Sequence, residues 1–255
     1  MVTIVLTITN CSTTQKPKKA GPTPPSEKIN VQGNSKITSF TKAKKLLPSL
    51  FSKSTDRTFY CGCKFTGKVV DWNSCGYKPK GSHKRAKRIE WEHVVPAAAF
   101  GGNLPEWRNG HSKCQTSSGK KYKGRRCASK VNGKFNYMES DLYNLVPAIG
   151  EVNGLRSNYS IGMISGEARL FGKCDVEIKN KMVEPRPEIR GDMARVYLYM
   201  DTAYPGLSII NKSNRALIHS WDRSDPVSKE ECDRAISIHK IQGNLNHVLK
   251  SRCKD

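Results

Sequence analysis

Residues 89–96 place a carboxylate beside an imidazole, at Glu92 and His93. An extended, apolar stretch that reaches a proline predicts the end of a strand. Because consecutive side chains of a regular strand face opposite ways, the two groups can serve one site only if the backbone twists or turns there, and Pro96 favours such a turn. A hard oxygen ligand next to a group that titrates near neutrality suits metal-assisted hydrolysis. Taken alone, the pair also fits a structural or surface role.

The chain is strongly basic, with 44 Lys and Arg against 22 Asp and Glu and a formal net charge of +22 over 255 residues. Such an excess favours a polyanionic partner: nucleic acid, an acidic glycan or an anionic membrane surface. Residues 107–138 contain no acidic residue, and a second basic cluster at residues 78–88 lies directly before the Glu92–His93 strand. Either run alone fits a solvated loop, but two runs flanking one candidate site predict a phosphate-binding rim.

Nine cysteines are scattered along the chain without the paired spacing of a zinc module. Scattered cysteines in a basic chain predict disulfides and an oxidising compartment. The eight from Cys61 onward could form four bridges, whose pairing the sequence leaves open. One possible staple joins Cys114 and Cys127 across the acid-free loop.

Three regions are expected from composition. Residues 1–10 are apolar and resemble the remnant of a signal sequence. Residues 11–38 are rich in Pro, Lys, Ser and Thr and predict a disordered basic linker, with Cys11 a possible site of lipid anchoring. Residues 39–255 should form one mixed domain of class α+β, and no other stretch is apolar enough to span a bilayer.

Local patterns predict several elements of that domain. A helix should begin at Ser39 and be distorted or ended by Pro48. Strands are expected at 58–63 and 68–72, around a turn at Gly67. Further helices are predicted from 141 towards 153 with Pro147 in the early turns, at 190–200, and from 226 to about 249 with Asp225 as the N-cap and a break at Gly243.

Three long motifs, in order, carry a resemblance to a known family. They are EWEHVVPA at residues 90–97, MESDLYNLVPA at 138–148 and GEVNGLRSN at 150–158. With FYCGC at 59–63 and WDRSDPV at 221–227, they make the chain similar, from about residue 40 onward, to the bacterial endonuclease I family. The resemblance implies a ββα-metal nuclease core with additional helices and disulfide-stapled loops.

By this resemblance, His93 is the general base that activates water, and Glu92 and Asn144 hold one Mg²⁺ ion. A carboxylate and an amide oxygen are hard ligands, and two protein ligands are enough for magnesium because it keeps several waters. The family also places an arginine near the leaving phosphate. Arg125 is favoured for that role and Arg126 is the alternative, because the loop is longer here than in the family pattern.

The function implied is sequence-non-specific endonucleolytic hydrolysis of DNA, and of RNA, to 5′-phosphate products by a secreted or periplasmic monomer. Specificity is not expected, since contacts to backbone phosphate carry no base information. With an ordinary histidine pKa, activity should fall below about pH 6.5. Arg156 is expected to support the site rather than react, and Glu139 could orient a ligand. The alternative is a non-catalytic basic envelope protein that binds extracellular nucleic acid, which explains the charge but not the intact set of Glu92, His93 and Asn144.

Overall fold

Short helices and small sheets alternate along the chain, and the predicted α+β class is confirmed. The structure, a computed structural model, describes residues 33–53, 55–81, 83–166 and 168–253. The predicted signal remnant, most of the predicted linker and Cys11 lie outside these residues. The described residues fall within one compact unit, Val31–Asp255.

Helices outnumber strands in both halves of the domain. The first half contains α1 (Phe40–Leu50), β1 (Phe65–Thr66), β2 (Val69–Val70), α2 (His83–Ala86), β3 (Ile89–His93), α3 (Ala97–Gly101), α4 (Pro105–Arg108), α5 (Arg125–Val131) and α6 (Gly133–Glu139). The second half contains β4 (Leu145–Ile149), α7 (Gly150–Arg156), β5 (Ser160–Ile161), β6 (Val176–Lys179), β7 (Met182–Pro185), α8 (Arg190–Ala203), α9 (Lys212–Ser224), α10 (Lys229–Gln242) and α11 (His247–Lys250). Single 3-10 turns cover Trp72–Ser74, Leu142–Asn144 and Pro187–Ile189.

Helix α1 begins as predicted. The Ser39 hydroxyl accepts a hydrogen bond from the Lys42 backbone at 3.3 Å, and Ala43 and Leu47 face the core. Pro48 does not end the helix, which continues to Leu50. Pro48 has no N–H to donate to the carbonyl of Lys44, four residues earlier in the helix. Both residues are exposed, so water can form a hydrogen bond to that carbonyl.

The central ribbon pairs β3 with β4 in antiparallel fashion, and α7 follows directly. This is the predicted two-strand-and-helix core. The helix predicted from residue 141 to 153 is wrong, because residues 145–149 form a fully buried strand and the helix starts only at Gly150. A strand that is buried on both faces has a continuous apolar sequence and lacks the alternation of apolar and polar residues that marks other strands. Its sequence therefore fits a buried helix as well as a buried strand.

Pro147 fits into β4 because of the ladder's register. The backbone N–H of Val94 donates to the Asn144 carbonyl at 3.0 Å, and that of Gly150 donates to Arg88 at 2.9 Å. Hydrogen-bonded and non-hydrogen-bonded pairs alternate between these two ends, which places the Trp91–Pro147 pair at a non-bonded position. The proline therefore removes no bond from the ribbon.

Disulfides join the eight described cysteines in pairs, and the predicted Cys114–Cys127 staple is confirmed. The others are Cys61–Cys174, Cys63–Cys75 and Cys232–Cys253. The first of these closes a loop with a sequence separation of 113 residues. The predicted strand at 58–63 is instead a turn, held by a bond from the Gly62 backbone to the Thr58 carbonyl at 2.8 Å; short strands β1 and β2 meet across the predicted turn at Gly67.

Helix α8 lies close to its predicted bounds, whereas the prediction for the last long helix is wrong at its start. Helix α10 begins after Ser228, whose side chain forms a reciprocal capping box with Glu231. Asp225 closes α9 instead, and its carboxylate accepts the Gly191 backbone N–H at 2.8 Å. Gly243 ends α10 as predicted, in the left-handed conformation at φ +88°.

A buried aspartate fixes the chain just before β4. Both carboxylate oxygens of Asp141 accept hydrogen bonds, and they come from the Tyr143 and Asn34 backbones, the Gln242 amide and the Tyr199 and Tyr204 hydroxyls. The packed part of the chain thus includes residues 33–38, ahead of the predicted boundary at residue 39. Asn34 is fully buried and its amide donates to Ile37 and Tyr137.

Candidate active site

The candidate residues gather at the open end of the β3–β4 ribbon. Glu92 lies opposite Val146 and His93 opposite Leu145 in the register, and the Asn144 carbonyl accepts the next backbone N–H. Asn144 ends the 3-10 turn that leads into β4. His93 ends β3, and its backbone N–H donates to the Glu92 carboxylate. The Glu92 carboxylate thus lies beside the main chain of His93.

Glu92 is a buried carboxylate, 4% exposed, held by two donors on one oxygen. The Tyr60 hydroxyl donates to Oε1 at 3.1 Å, and a guanidinium nitrogen of Arg156 lies 3.1 Å from the same atom. Burial raises the pKa of Glu92, and the nearby Arg156 charge opposes that rise. Buried anionic oxygen of this kind gains stability from an additional cation.

Arg156 ties the carboxylate to the backbone that follows it. This guanidinium is 1% exposed and donates to the main-chain carbonyls of His93 at 3.0 Å and Val94 at 2.6 Å. It also bonds to the Tyr197 hydroxyl. One side chain of α7 thereby fixes both Glu92 and the turn out of β3, which is the supporting role expected from the sequence.

His93 has a defined tautomer. Its Nε2 lies 2.8 Å from the Glu139 main-chain carbonyl, and a carbonyl only accepts. Nε2 therefore carries the hydrogen and Nδ1 carries the lone pair that a general base needs. Packing against Phe40, with ring centroids 4.8 Å apart, holds the imidazole in this orientation.

Burial, and then the charge of Arg125, lower the pKa of His93 to about 3. The expected loss of activity below about pH 6.5 assumes an ordinary histidine pKa and stays a prediction. In the free protein, burial and the Arg125 charge both favour the neutral imidazole. Sequence could not give this shift, because it depends on what surrounds the ring.

Arg125 lies at the rim of the site, and Arg126, next to it in the chain, contacts the acid-free loop. The Arg125 Nε donates to Glu139 Oε1 at 2.5 Å, and its side chain remains 43% exposed. The other carboxylate oxygen of Glu139 accepts from Ser129 at 2.8 Å. The positive charge of Arg125 acts to lower the pKa of both Glu92 and His93, in each case with a smaller effect than burial. Arg126 instead stacks on the Tyr122 ring at 4.3 Å.

Asn144 is fully buried, and its carboxamide forms two hydrogen bonds with the backbone of Val95. The Val95 N–H donates to Oδ1 at 2.7 Å, and Nδ2 donates to the Val95 carbonyl at 3.0 Å. This pairing distinguishes the amide oxygen from the nitrogen and fixes its direction. The oxygen retains a second lone pair for another partner.

The donor set fits a lightly liganded, hard divalent cation. Among the described residues, no group of three or more His, Cys, Asp or Glu side chains could hold a metal ion. A buried carboxylate and an amide oxygen are hard ligands, which divalent cations such as magnesium accept. Zinc, which prefers a closed set of nitrogen and sulfur ligands, does not match this set.

Two supporting residues carry no sequence signal strong enough to assign their contacts beforehand. Tyr60 lies 32 residues before Glu92 in the chain and reaches it only through the fold. Glu139 fits the expected orienting role, but its main chain orients His93 while its side chain holds Arg125, and the sequence does not separate these tasks. Close contacts between distant residues of this type require a structure or covariation to find.

The α+β core, with a buried acid–histidine pair beside a basic rim, is that of a nuclease. Comparison with known proteins agrees. The family model for Endonuclease I matches residues 26–252. The chain is 43% identical over 225 residues to the extracellular deoxyribonuclease of Aeromonas hydrophila, covering 86% of this chain and 90% of that protein.

Two further relatives show similar coverage. The periplasmic deoxyribonuclease of Aeromonas hydrophila is 43% identical over 84% of this chain and 86% of its own length. Endonuclease-1 of Buchnera aphidicola subsp. Acyrthosiphon pisum is 39% identical over 85% of this chain and 82% of its own length. The chain therefore belongs to the endonuclease I family and is a hydrolase acting on nucleic acid.

Proposed function

We propose that the protein is a magnesium-dependent, sequence-non-specific endonuclease that hydrolyses DNA, and RNA, to 5′-phosphate products. The observation that carries this proposal is the hydrogen bond from His93 Nε2 to the Glu139 carbonyl, which leaves Nδ1 as the basic nitrogen. The names of the Aeromonas relatives support deoxyribonuclease activity.

In the proposed reaction, Nδ1 of His93 takes a proton from water, and the hydroxide oxygen forms a bond to phosphorus. The bond from phosphorus to the 3′-oxygen breaks, and that oxygen takes a proton from solvent. The products are a 5′-phosphate and a 3′-hydroxyl. Arg125 donates to the non-bridging phosphate oxygens, where negative charge increases in the transition state.

Bound phosphate would change the charge around His93. Burial is the largest cause of the low pKa of His93 in the free protein, and the Arg125 charge is the second. A phosphate group that pairs with Arg125 offsets this charge, so the imidazole becomes a stronger base when substrate is present. The imidazole of His93 is therefore neutral before binding, and the proposal is that its basicity increases when phosphate pairs with Arg125.

Glu92 and Asn144 would hold the magnesium ion, with the carboxylate and the amide oxygen as its protein ligands. When bound, the ion supplies positive charge beside the phosphate. Tyr60 and Arg156 hold Glu92 in place, while the Val95 backbone holds Asn144. These supports exist independently of the ion.

Export from the cytoplasm is part of the proposal. Relatives are named as extracellular and periplasmic proteins, and the four disulfides require an oxidising compartment. Within the described residues, no helix combines the length and apolarity needed to cross a membrane. A monomeric state completes the proposal and can be checked by light scattering, and mass spectrometry of Cys11 tests for the lipid anchor that the sequence leaves open.

The direct test incubates the oxidised protein with supercoiled plasmid and with RNA, in magnesium or in EDTA, beside a His93→Ala variant. Cleavage by the wild type in magnesium alone, and its loss in the variant, is expected. DNA retardation without cleavage by either protein would instead indicate the non-catalytic binding protein. A Lys212→Ala variant serves as a control, because Lys212 is exposed on α9.

A further inference from the structure

Beyond the catalytic centre, the acid-free loop forms a groove. Its walls come from residues 109–112 and 121–123, and they enclose a cavity of about 550 Å³. Lys121 and Lys123 are exposed on one wall, with Tyr122 between them. Among the described residues, neither lysine has a carboxylate partner in an ion pair. The side chains are thus available to an external anion.

The groove is held in a fixed shape. The Tyr122 backbone N–H donates to the Cys114 carbonyl at 2.9 Å, and Gln115 pairs with Lys121 across the loop. The Cys114–Cys127 disulfide fastens the loop to α5. Gly110, at φ +84°, allows the opposite wall to approach, since a Cβ there would lie 3.2 Å from the Tyr122 carbonyl oxygen.

Arg126 connects this groove to the catalytic centre. Its guanidinium stacks on Tyr122, and the Lys130 ammonium lies 5.8 Å from the same ring. Arg126 also lines a second cavity, of about 530 Å³, together with Arg125 and Glu139. Arg126 therefore contacts Tyr122 of the groove and lines the same cavity as Arg125, at the rim of the active site.

We propose that Lys121, Tyr122 and Lys123 of this groove, together with Arg126, bind the sugar–phosphate backbone of the nucleic acid on one side of the cleaved bond. The inference rests on the proposed nuclease function and extends it to substrate positioning. Lysine and arginine without carboxylate partners suit phosphates, and the Tyr122 ring orders the Arg126 guanidinium before binding. Backbone contacts of this kind are independent of base sequence.

A nucleic acid backbone is favoured over an anionic membrane because the cations continue into the site where a phosphate would be cleaved. A membrane surface would not need to align with that site. The groove should therefore determine how strongly, and with what salt dependence, the enzyme holds long substrates. Catalysis at the bound phosphate remains the task of His93 and its neighbours.

The test measures binding of a labelled DNA duplex in EDTA, where cleavage is blocked, over a range of salt concentrations. In the variant Lys121→Gln, Lys123→Gln, Arg126→Gln, the negative slope of log affinity against log salt should become less steep by about 2.7, or about 0.9 for each lost phosphate contact. Its control carries Lys179→Gln, Lys212→Gln and Arg223→Gln, which remove the same charge from β6 and α9. The control should keep the wild-type slope and cleavage rate.

Three results would contradict the proposal. The first is an unchanged slope in the groove variant, and the second is an equal change of slope in the groove variant and its control. The third comes from a parallel binding assay with anionic lipid vesicles, if the groove variant loses vesicle binding while its DNA binding is intact. Circular dichroism of each variant excludes misfolding as the cause of a less steep dependence on salt. Failure of the nuclease function appears separately, as wild-type protein that binds DNA but does not cut plasmid in magnesium.

Discussion

Replacing Arg156 with methionine should strongly destabilise the metal-free protein. The substitution preserves length and apolar packing, but it leaves the Glu92 carboxylate without the cation now 3.1 Å away, and both groups are almost fully buried. It also removes the donors to the His93 and Val94 carbonyls. Breaking one partner of a buried pair costs about 3–5 kcal/mol. Urea unfolding in EDTA measures the change.

The same variant tests the metal site by a measurement other than activity. With Arg156 absent, Mg²⁺ at about ten times its dissociation constant should restore about 1.4 kcal/mol by binding at Glu92. The double variant Arg156→Met, Glu92→Gln is the control, because it lacks the carboxylate that would hold the ion but shares the loss of the buried arginine. An equal magnesium effect on both variants, or none on either, refutes Glu92 as a ligand. If Arg156→Met does not fold, Arg156→Lys, which keeps the charge, permits the same comparison.

Three further measurements check other parts of the site. The pKa of His93 is lowered to about 3 in the folded protein, so the unfolded chain takes up the proton first as the pH falls below about 6.5. Unfolding in EDTA should therefore show a free energy of unfolding about 2 kcal/mol lower at pH 5 than at pH 7. The His93→Gln variant should lack this pH-dependent decrease. A Cys61→Ala, Cys174→Ala variant should lose about 5 kcal/mol, since the bond closes a loop with a separation of 113 residues; an intact unfolding midpoint would contradict this. Glu139→Gln keeps the carbonyl that orients His93 but removes the partner of Arg125, so kcat should fall by about tenfold, against about 10²-fold for Arg125→Ala; equal losses would show that Glu139 does more than position the arginine.

Local chemistry made parts of the fold predictable. The cap at Ser39 and the left-handed glycine at residue 243 act within a few residues, so the sequence carries them directly. The strand ending at His93 and the staple at Cys114 and Cys127 are predictable for similar reasons. The α+β class followed from these elements and from the resemblance to a family.

Other features depend on packing and could not be predicted locally. Residues 145–149 are buried on both faces, which hides the alternation that marks a strand. Asp225 and Pro226 have the chemistry of a helix start, but Asp225 is bound to Gly191 and the helix begins three residues later. At the site, the arginine that holds Glu92 and the depressed pKa of His93 arise only when α7 and α5 are brought to the ribbon.

The Cys61–Cys174 bond determines what a single proteolytic cut would do to the molecule. Every candidate residue of the active site, from Glu92 through Arg125 to Asn144, lies within the segment that this bond closes into a ring. The exposed basic loop, which must stay accessible to bind substrate, lies in the same segment. A single peptide cut there opens the ring but separates nothing, because both pieces remain joined through the sulfur atoms. The accessible surface that nucleic acid requires can therefore be nicked once without loss of any catalytic group from the molecule.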